Sequence, residues 1–253
     1  MSRSRSPGQF SGTVGEYDSP QDFVTGLRIA FVNTEDISIG SGRCRDSTNA
    51  IDIVNGGTVT VQIDASGANG LDTGSEAGDT FYAVHLIGSR TGHPAAGLLS
   101  TSATSPTLPA GYHHFRRVGW VRNNGSDNLL SFIQTGDGRR RIVDYNEAKN
   151  TVLILVSGGT ATTWTDVVGT SLIPSTSENA QFYLLSNAWA AGWTKIRGNA
   201  LAGAIDAQDL VRAEAAPEGN LSWLRCQAQK IQYLQTNATN TMYVYMIAYE
   251  DTL

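Results

Sequence analysis

The sequence predicts an all-β protein, two antiparallel β-sandwich modules of jelly-roll-like kind behind an extended N-terminal arm. Three observations carry this. Short apolar–polar alternations recur along the chain, and clusters of Gly, Asn, Asp and Pro separate them. Charged residues make up only 16% of the 253 positions. Long surface helices need more Glu, Lys and Arg than that to solvate their outer faces. The length gives room for one large or two modest domains, each able to bury a core.

Residues 1–26 are rich in Ser, Gly, Pro and Gln, with few side chains that anchor a core. They read as a flexible docking arm, ordered only when something binds it. Alternation begins at "LRIAFV" (27–32), with Leu27, Ile29 and Phe31 on one face. "TVTVQI" (58–63) sets Val59, Val61 and Ile63 against Thr58, Thr60 and Gln62, the pattern of a half-buried strand. "TFYAVHLI" (80–87) is apolar on both faces and belongs inside a sheet; "LLSFIQ" (129–134) and "TVLILV" (151–156) follow the same logic. The clusters "NGG", "GANG" and "NNGSDN" supply turns needing positive φ.

"SGGTATT" (157–163) has no apolar anchor and marks the internal boundary, with modules at 27–157 and 158–253. "WTDVV", "AQFYLL", "LSWLRCQA" and "KIQYLQ" follow as strands, then "TMYVYMIAYED". In this last segment Tyr243, Tyr245, Ile247 and Tyr249 alternate with Met242, Val244, Met246 and Ala248. Both faces are apolar, which predicts a central strand. Residues 201–214 are the one stretch that admits a helix, without a sustained 3.6-residue period.

The net charge of −5 excludes a broadly basic nucleic-acid binder. No run approaches the roughly 20 apolar residues of a membrane helix. "MSRSRSPGQF" has no apolar stretch behind it, so no secretory signal is visible and synthesis in a cytoplasm is expected. Cys44 and Cys226 match no metal or redox spacing; two reduced thiols are the default reading, and a bond between them stays open.

The busiest stretch is "LPAGYHHFRRVGWVRNNGS" (108–126). Regular alternation puts Tyr112, His114, Arg116, Val118, Trp120 and Arg122 on one face, with His113, Phe115, Arg117, Gly119 and Val121 on the other. Adjacent histidines then point apart and cannot chelate one metal. Residues 116–141 carry six arginines (Arg116, Arg117, Arg122, Arg139, Arg140, Arg141) against Asp127 and Asp137. That local net of +4 leaves −9 for the remainder of a chain whose total is −5. Asp64, Asp72, Glu76 and Asp79 form an acidic segment with no Lys or Arg between them. Two readings stand: the arginines satisfy groups within the fold, or the two segments meet across a contact between copies of the chain.

Three segments, "GSGRCRDSTNAIDI" (40–53), "GLDTGSEAGDTFYAVHLIGSRTG" (70–92) and "LLSTSATSPTLPAGYHHFRRVGWVRNNGS" (98–126), resemble a β-rich module of structural proteins of tailed bacteriophages. "TTWTDVVGTSLIPSTSENAQFYLL" (162–185) and "YVYMIAYED" (243–251) resemble a second, smaller sandwich in the same kind of protein. The resemblance implies a non-enzymatic tail-fibre or minor virion component and carries no catalytic residues. Its expected partners are copies of itself, a trimer suiting a fibre, and another virion protein held through residues 1–26. Capsid decoration is an alternative place in the particle.

A second alternative is a receptor- or carbohydrate-binding module, with Trp189 and Trp193 of "NAWAAGWTK" (187–195) as glycan contacts or as plugs of the sandwich end. The sequence contains no Gly-x-Ser-x-Gly elbow, His-Glu-x-x-His, phosphate-cradling loop or calcium loop. No enzyme, cofactor or metal is expected.

Overall fold

The computed structural model describes residues 20–90, 92–145, 153–187, 192–198, 211–213 and 218–253. Among them the chain is all-β, built of antiparallel sheets in a sandwich-like arrangement with no α-helix. Two three-stranded sheets open it. β1 (Val24–Gly26), β4 (Gly42–Arg45) and β5 (Asp52–Asn55) form one; β2 (Ile29–Phe31), β3 (Asp36–Ile39) and β6 (Val59–Gln62) form the other. Both pack against a four-stranded sheet ordered β10 (His114–Arg122), β8 (Phe81–Gly88), β9 (Ala96–Ser100), β7 (Gly70–Leu71). Glycines set that packing. A Cβ on Gly88 would meet the Ile53 side chain at 3.1 Å, and one on Gly119 would meet Ile29 Cδ1 at 2.7 Å.

The largest sheet runs β11 (Ile133–Thr135), β12 (Arg140–Asp144), β20 (Thr241–Thr252), β15 (Asn179–Asn187), β18 (Glu218–Arg225), with β13 (Ile154–Gly159) also on β20. A four-stranded sheet completes the fold: β14 (Thr165–Val168), β19 (Lys230–Gln235), β16 (Thr194–Gly198), β17 (Val211–Ala213). β20 is a central strand, as its two apolar faces predict, and β8 lies between β10 and β9 for the same reason.

Three expectations meet a different arrangement. The boundary at 157/158 does not separate the hydrogen bonding, because β11 and β12 add to the sheet of the C-terminal half through pairs such as Val143↔Tyr249. One contiguous apolar core runs from Val24 to Leu253. The expected arm also overlaps the folded part. β1 pairs β4, Val24 is buried, and Asp22 is held by Arg116 and Asn49. Residues 1–19 lie outside the described residues. Within "LLSFIQ" only Ile133–Thr135 is strand. Leu129, Leu130 and Phe132 are buried in irregular backbone, where Leu129 and Leu130 bond through their N–H groups to the carbonyls of Thr34 and Arg122. Of the segment that admits a helix, 201–210 and 214 lie outside the described residues and Val211–Ala213 is β17.

Candidate functional site

Strand β10 forms because Phe115, Val118, Trp120 and Val121 give it apolar side chains for both layers, yet it is not regular. Its register on β8 shifts at one residue: Arg117 faces His85 and Gly119 faces Val84, leaving Val118 as a bulge. The bulge exchanges the two faces beyond it. Arg117, Trp120 and Arg122 therefore share one side, whereas Arg116 falls on the other with Gly119 and Val121. Regular alternation had grouped Arg116 with Trp120 and Arg122. The Arg117 guanidinium lies 5.7 Å from the Trp120 ring centre, and that of Arg122 lies 5.9 Å from Phe81.

All six arginines are engaged within the chain. Arg116 donates to Asp22 at 2.8 Å. Arg117 is paired with Asp251, whose side chain is fully buried, and also donates to the Thr252 carbonyl. Arg122 reaches Asp79 at 3.0 Å and the Ser171 carbonyl at 2.9 Å. Arg139 donates to the Leu253 carbonyl, Arg140 forks onto both oxygens of Glu250 at 2.7 Å, and Arg141 donates to the carbonyls of Gly26 and Gly136. Burial explains the economy of this arrangement. A guanidinium as enclosed as Arg141, at 1% exposure, is costly unless its donors find acceptors.

The acidic segment is spent in the same way. Asp79 pairs with Arg122, so of the two readings the one within the fold holds for this pair. Asp72 accepts from Ser100 Oγ and the Thr107 N–H, bracing the loop after β9. Glu76 accepts from Asn123, while burial, then the neighbouring carboxylates Asp127, Asp64 and Glu35, raise its pKa. Asp64 is exposed on the surface. Arg122–Asp79 joins the two segments directly; the other arginines and acids of the contrast find partners elsewhere in the chain, and Asp64 stays on the surface.

The histidines are structural. His114 accepts from Arg90 Nε at its Nε2, so its Nδ1–H donates to Asp46 at 2.9 Å. Asp46 also caps a turn through Thr48 and the N–H groups of Ala50 and Ile51. These bonds outweigh burial and hold its carboxyl below the usual range. His85 is fully buried between β10 and β9, and burial lowers its pKa to about 4. Among the described residues no group of three metal-ligating side chains converges. Cys44 and Cys226 are both buried and form no disulfide, and desolvation pushes the Cys44 thiol up to about 12, which keeps it protonated. Of the glycan pair, Trp189 lies outside the described residues; Trp193 is half-buried, its backbone N–H donating to Thr236 Oγ1.

An apolar surface is the feature that the sequence concealed. Cross-strand pairing aligns Leu221, Tyr183, Tyr245 and Ile154 on one face of the largest sheet, with Trp223, Leu185 and Tyr243 beside them. Leu221 is 50% exposed and Trp223 38%, and the three tyrosines are half-buried. The opposite face (Met242, Val244, Met246, Phe182, Leu184) is core. Ile247 is a bulge here, since Gln181 pairs Ala248 and Phe182 pairs Met246. It turns Tyr249 inward while Tyr243 and Tyr245 stay outward. The signal in the sequence was the doubly apolar β20, which alone does not say that one of its faces is left open.

No family model and no curated protein matches the sequence. A solved structure, the crystal structure of CapF with the inhibitor 3-isopropenyl-tropolone, aligns over 58% of this chain and 33% of its own, at 6% identity and a TM-score of 0.16. A likeness that slight carries no argument about fold or function.

Proposed function

We propose that this chain is a structural component of a tailed bacteriophage particle, a tail fibre or another surface-attached virion protein, acting by association and docking rather than catalysis. The observation that carries the reading is the open apolar face of Leu221, Trp223, Tyr183, Leu185, Tyr243 and Tyr245. Contiguous exposed apolar surface of this kind marks interaction sites. Its occupant is a second copy of the chain. None of these side chains is charged, so like meets like without repulsion, as a self-complementary contact requires. At about 4.8 Å between strands, four strands and five positions span roughly 300 Å² of sheet. That is the apolar centre of an interface that needs about 800 Å² per partner, with Gln181, Ser157 and Arg225 around it as rim.

The motif resemblance of residues 40–53, 70–92, 98–126, 162–185 and 243–251 supports the phage setting. The proposed docking on a second virion protein falls to the residues ahead of Asp22, which is itself held in the fold by Arg116 and Arg139. The protein is then made in the host bacterial cytoplasm and ends in the virion. The test is to follow a tagged chain through particle purification. Co-sedimentation with complete particles at constant stoichiometry supports the reading, and recovery only as free protein contradicts it.

A further inference from the structure

A cleft of about 380 Å³ opens where the loop between β14 and β15 lies against the starts of β8 and the middle of β10. It is at the lower end of the roughly 300–1,000 Å³ typical of small-molecule sites. Its rim carries hydroxyls from Thr101, Ser171 and Ser175, the Gln229 amide and the Asp79 carboxylate; Phe81 supplies apolar surface, and Ile173 is buried beneath it. We propose that this cleft binds a neutral saccharide of one or two rings.

The chemistry of the walls selects that class. Hydroxyls donate and accept, and a carboxylate accepts from two neighbouring sugar hydroxyls at once. Gln229 spends its amide nitrogen on the carbonyls of Ile173 and Thr170, which leaves its oxygen as an acceptor. The half-buried Phe81 ring offers the one apolar patch of the wall to the C–H face of a pyranose. Among the described residues that line the cleft, an anionic ligand finds no free cation. The guanidinium of Arg122 is 3% exposed and already bonded to Asp79, the Ser171 carbonyl and the Asn123 carbonyl. Glu76 and Asp127 add negative charge nearby, and Asp127 lies against Gly78 beside Asp79.

The cleft is also held in shape. Asp79 is 66% exposed, yet Arg122 fixes its carboxylate at 3.0 Å from a buried anchor. That is the combination of access and fixed orientation that lowers the ordering cost of binding. Asp79 and Gln229 both sit at positive φ, 52° and 58°. For Gln in particular this conformation is disfavoured and persists only where the surroundings impose it. Residues from five separate parts of the chain converge here, so no sequence motif announces the site.

The test uses the full chain and the methyl glycosides of glucose, galactose, mannose and N-acetylglucosamine, with maltose and lactose, titrated by NMR and calorimetry. Sialic acid and glucuronic acid serve as anionic controls. At least one neutral sugar should shift the amides of Thr101, Ser171 and Gln229, and Ser175→Trp, which fills the cleft from an exposed position, should weaken it at least about tenfold. Thr101→Trp is the second variant, and an unchanged melting temperature certifies the fold of each. Binding of no neutral sugar, preference for the anionic ones, or equal binding by both tryptophan variants overturns the proposal. None of these outcomes touches self-association, which is read from molecular mass.

Discussion

Tyr249 donates its hydroxyl proton to the carbonyl oxygen of Trp120 at 3.1 Å, joining residues 129 positions apart in the sequence. The same ring stands edge-on to Phe81, 6.3 Å between centres, and Phe81 stands edge-on to Trp120. Trp120 Nε1–H donates to Thr176, and Thr176 donates to Asp251, the partner of Arg117. The N-terminal and C-terminal halves are thereby joined through buried Trp120, Tyr249 and Asp251 and half-buried Phe81 and Thr176. Tyr249→Phe keeps the ring and leaves the Trp120 carbonyl unpaired, so it should cost about 1 kcal/mol. The expected reading is a single denaturant transition shifted to lower midpoint with unchanged slope. Two separate transitions would contradict joined halves.

The start of the folded part can be located by truncation. Removing residues 1–19 leaves the Asp22–Arg116 pair, the β1–β4 ladder and buried Val24 in place. Removing residues 1–26 deletes all three and strips the Gly26 carbonyl from the buried Arg141 guanidinium. The longer deletion should lose several kcal/mol, about 1–3 of them from the orphaned charge alone. The shorter one should leave the melting temperature where it was. Scanning calorimetry on the two variants decides this.

His85 sets the acid limit of stability before the carboxylates do. Burial lowers its folded pKa to about 4 against an ordinary value of 6.5, so the folded protein keeps it neutral. Protonation then favours the unfolded chain, and stability falls as pH drops through 6.5 and levels off near 4. The full loss is about 3 kcal/mol. Asp22 and Asp46 are shifted downward too, and what they contribute disappears only below the ordinary carboxylate range. His85→Gln keeps a donor for the Ser102 carbonyl, the partner of His85 Nε2. Its melting temperature should be nearly flat between pH 6.5 and 4.5, where that of the native chain declines.

Strands with a strong period were legible in the sequence. β6, β8, β14, β15, β19 and β20 fall where alternation or doubly apolar runs predict them. Shorter ones such as β1, β4 and β7 draw their place from tertiary pairing and carry little local signal. Val118 and Ile247 were not legible either. A bulge is one extra residue in a ladder, invisible until its partner strand is known, and each reverses the faces of the residues after it. That is why Arg117 joins Trp120 and why Tyr249 turns inward. The charge contrast between 116–141 and 64–79 was real in the sequence. Its meaning depended on where the partners lay: Arg122 finds Asp79 within the chain, and Arg116, Arg117 and Arg140 find Asp22, Asp251 and Glu250, far from both segments in sequence.

The central claim is that association runs through the apolar face and not through the arginines, which already have partners. Sedimentation equilibrium at low and at high salt separates the two, because salt screens charge contacts and leaves apolar ones intact or stronger. The native chain should exceed its monomer mass of 27.0 kDa at both ionic strengths, and Leu221→Asp with Trp223→Asp should return it to monomer. A native chain that is monomeric throughout, or one that dissociates on adding salt, would contradict the account.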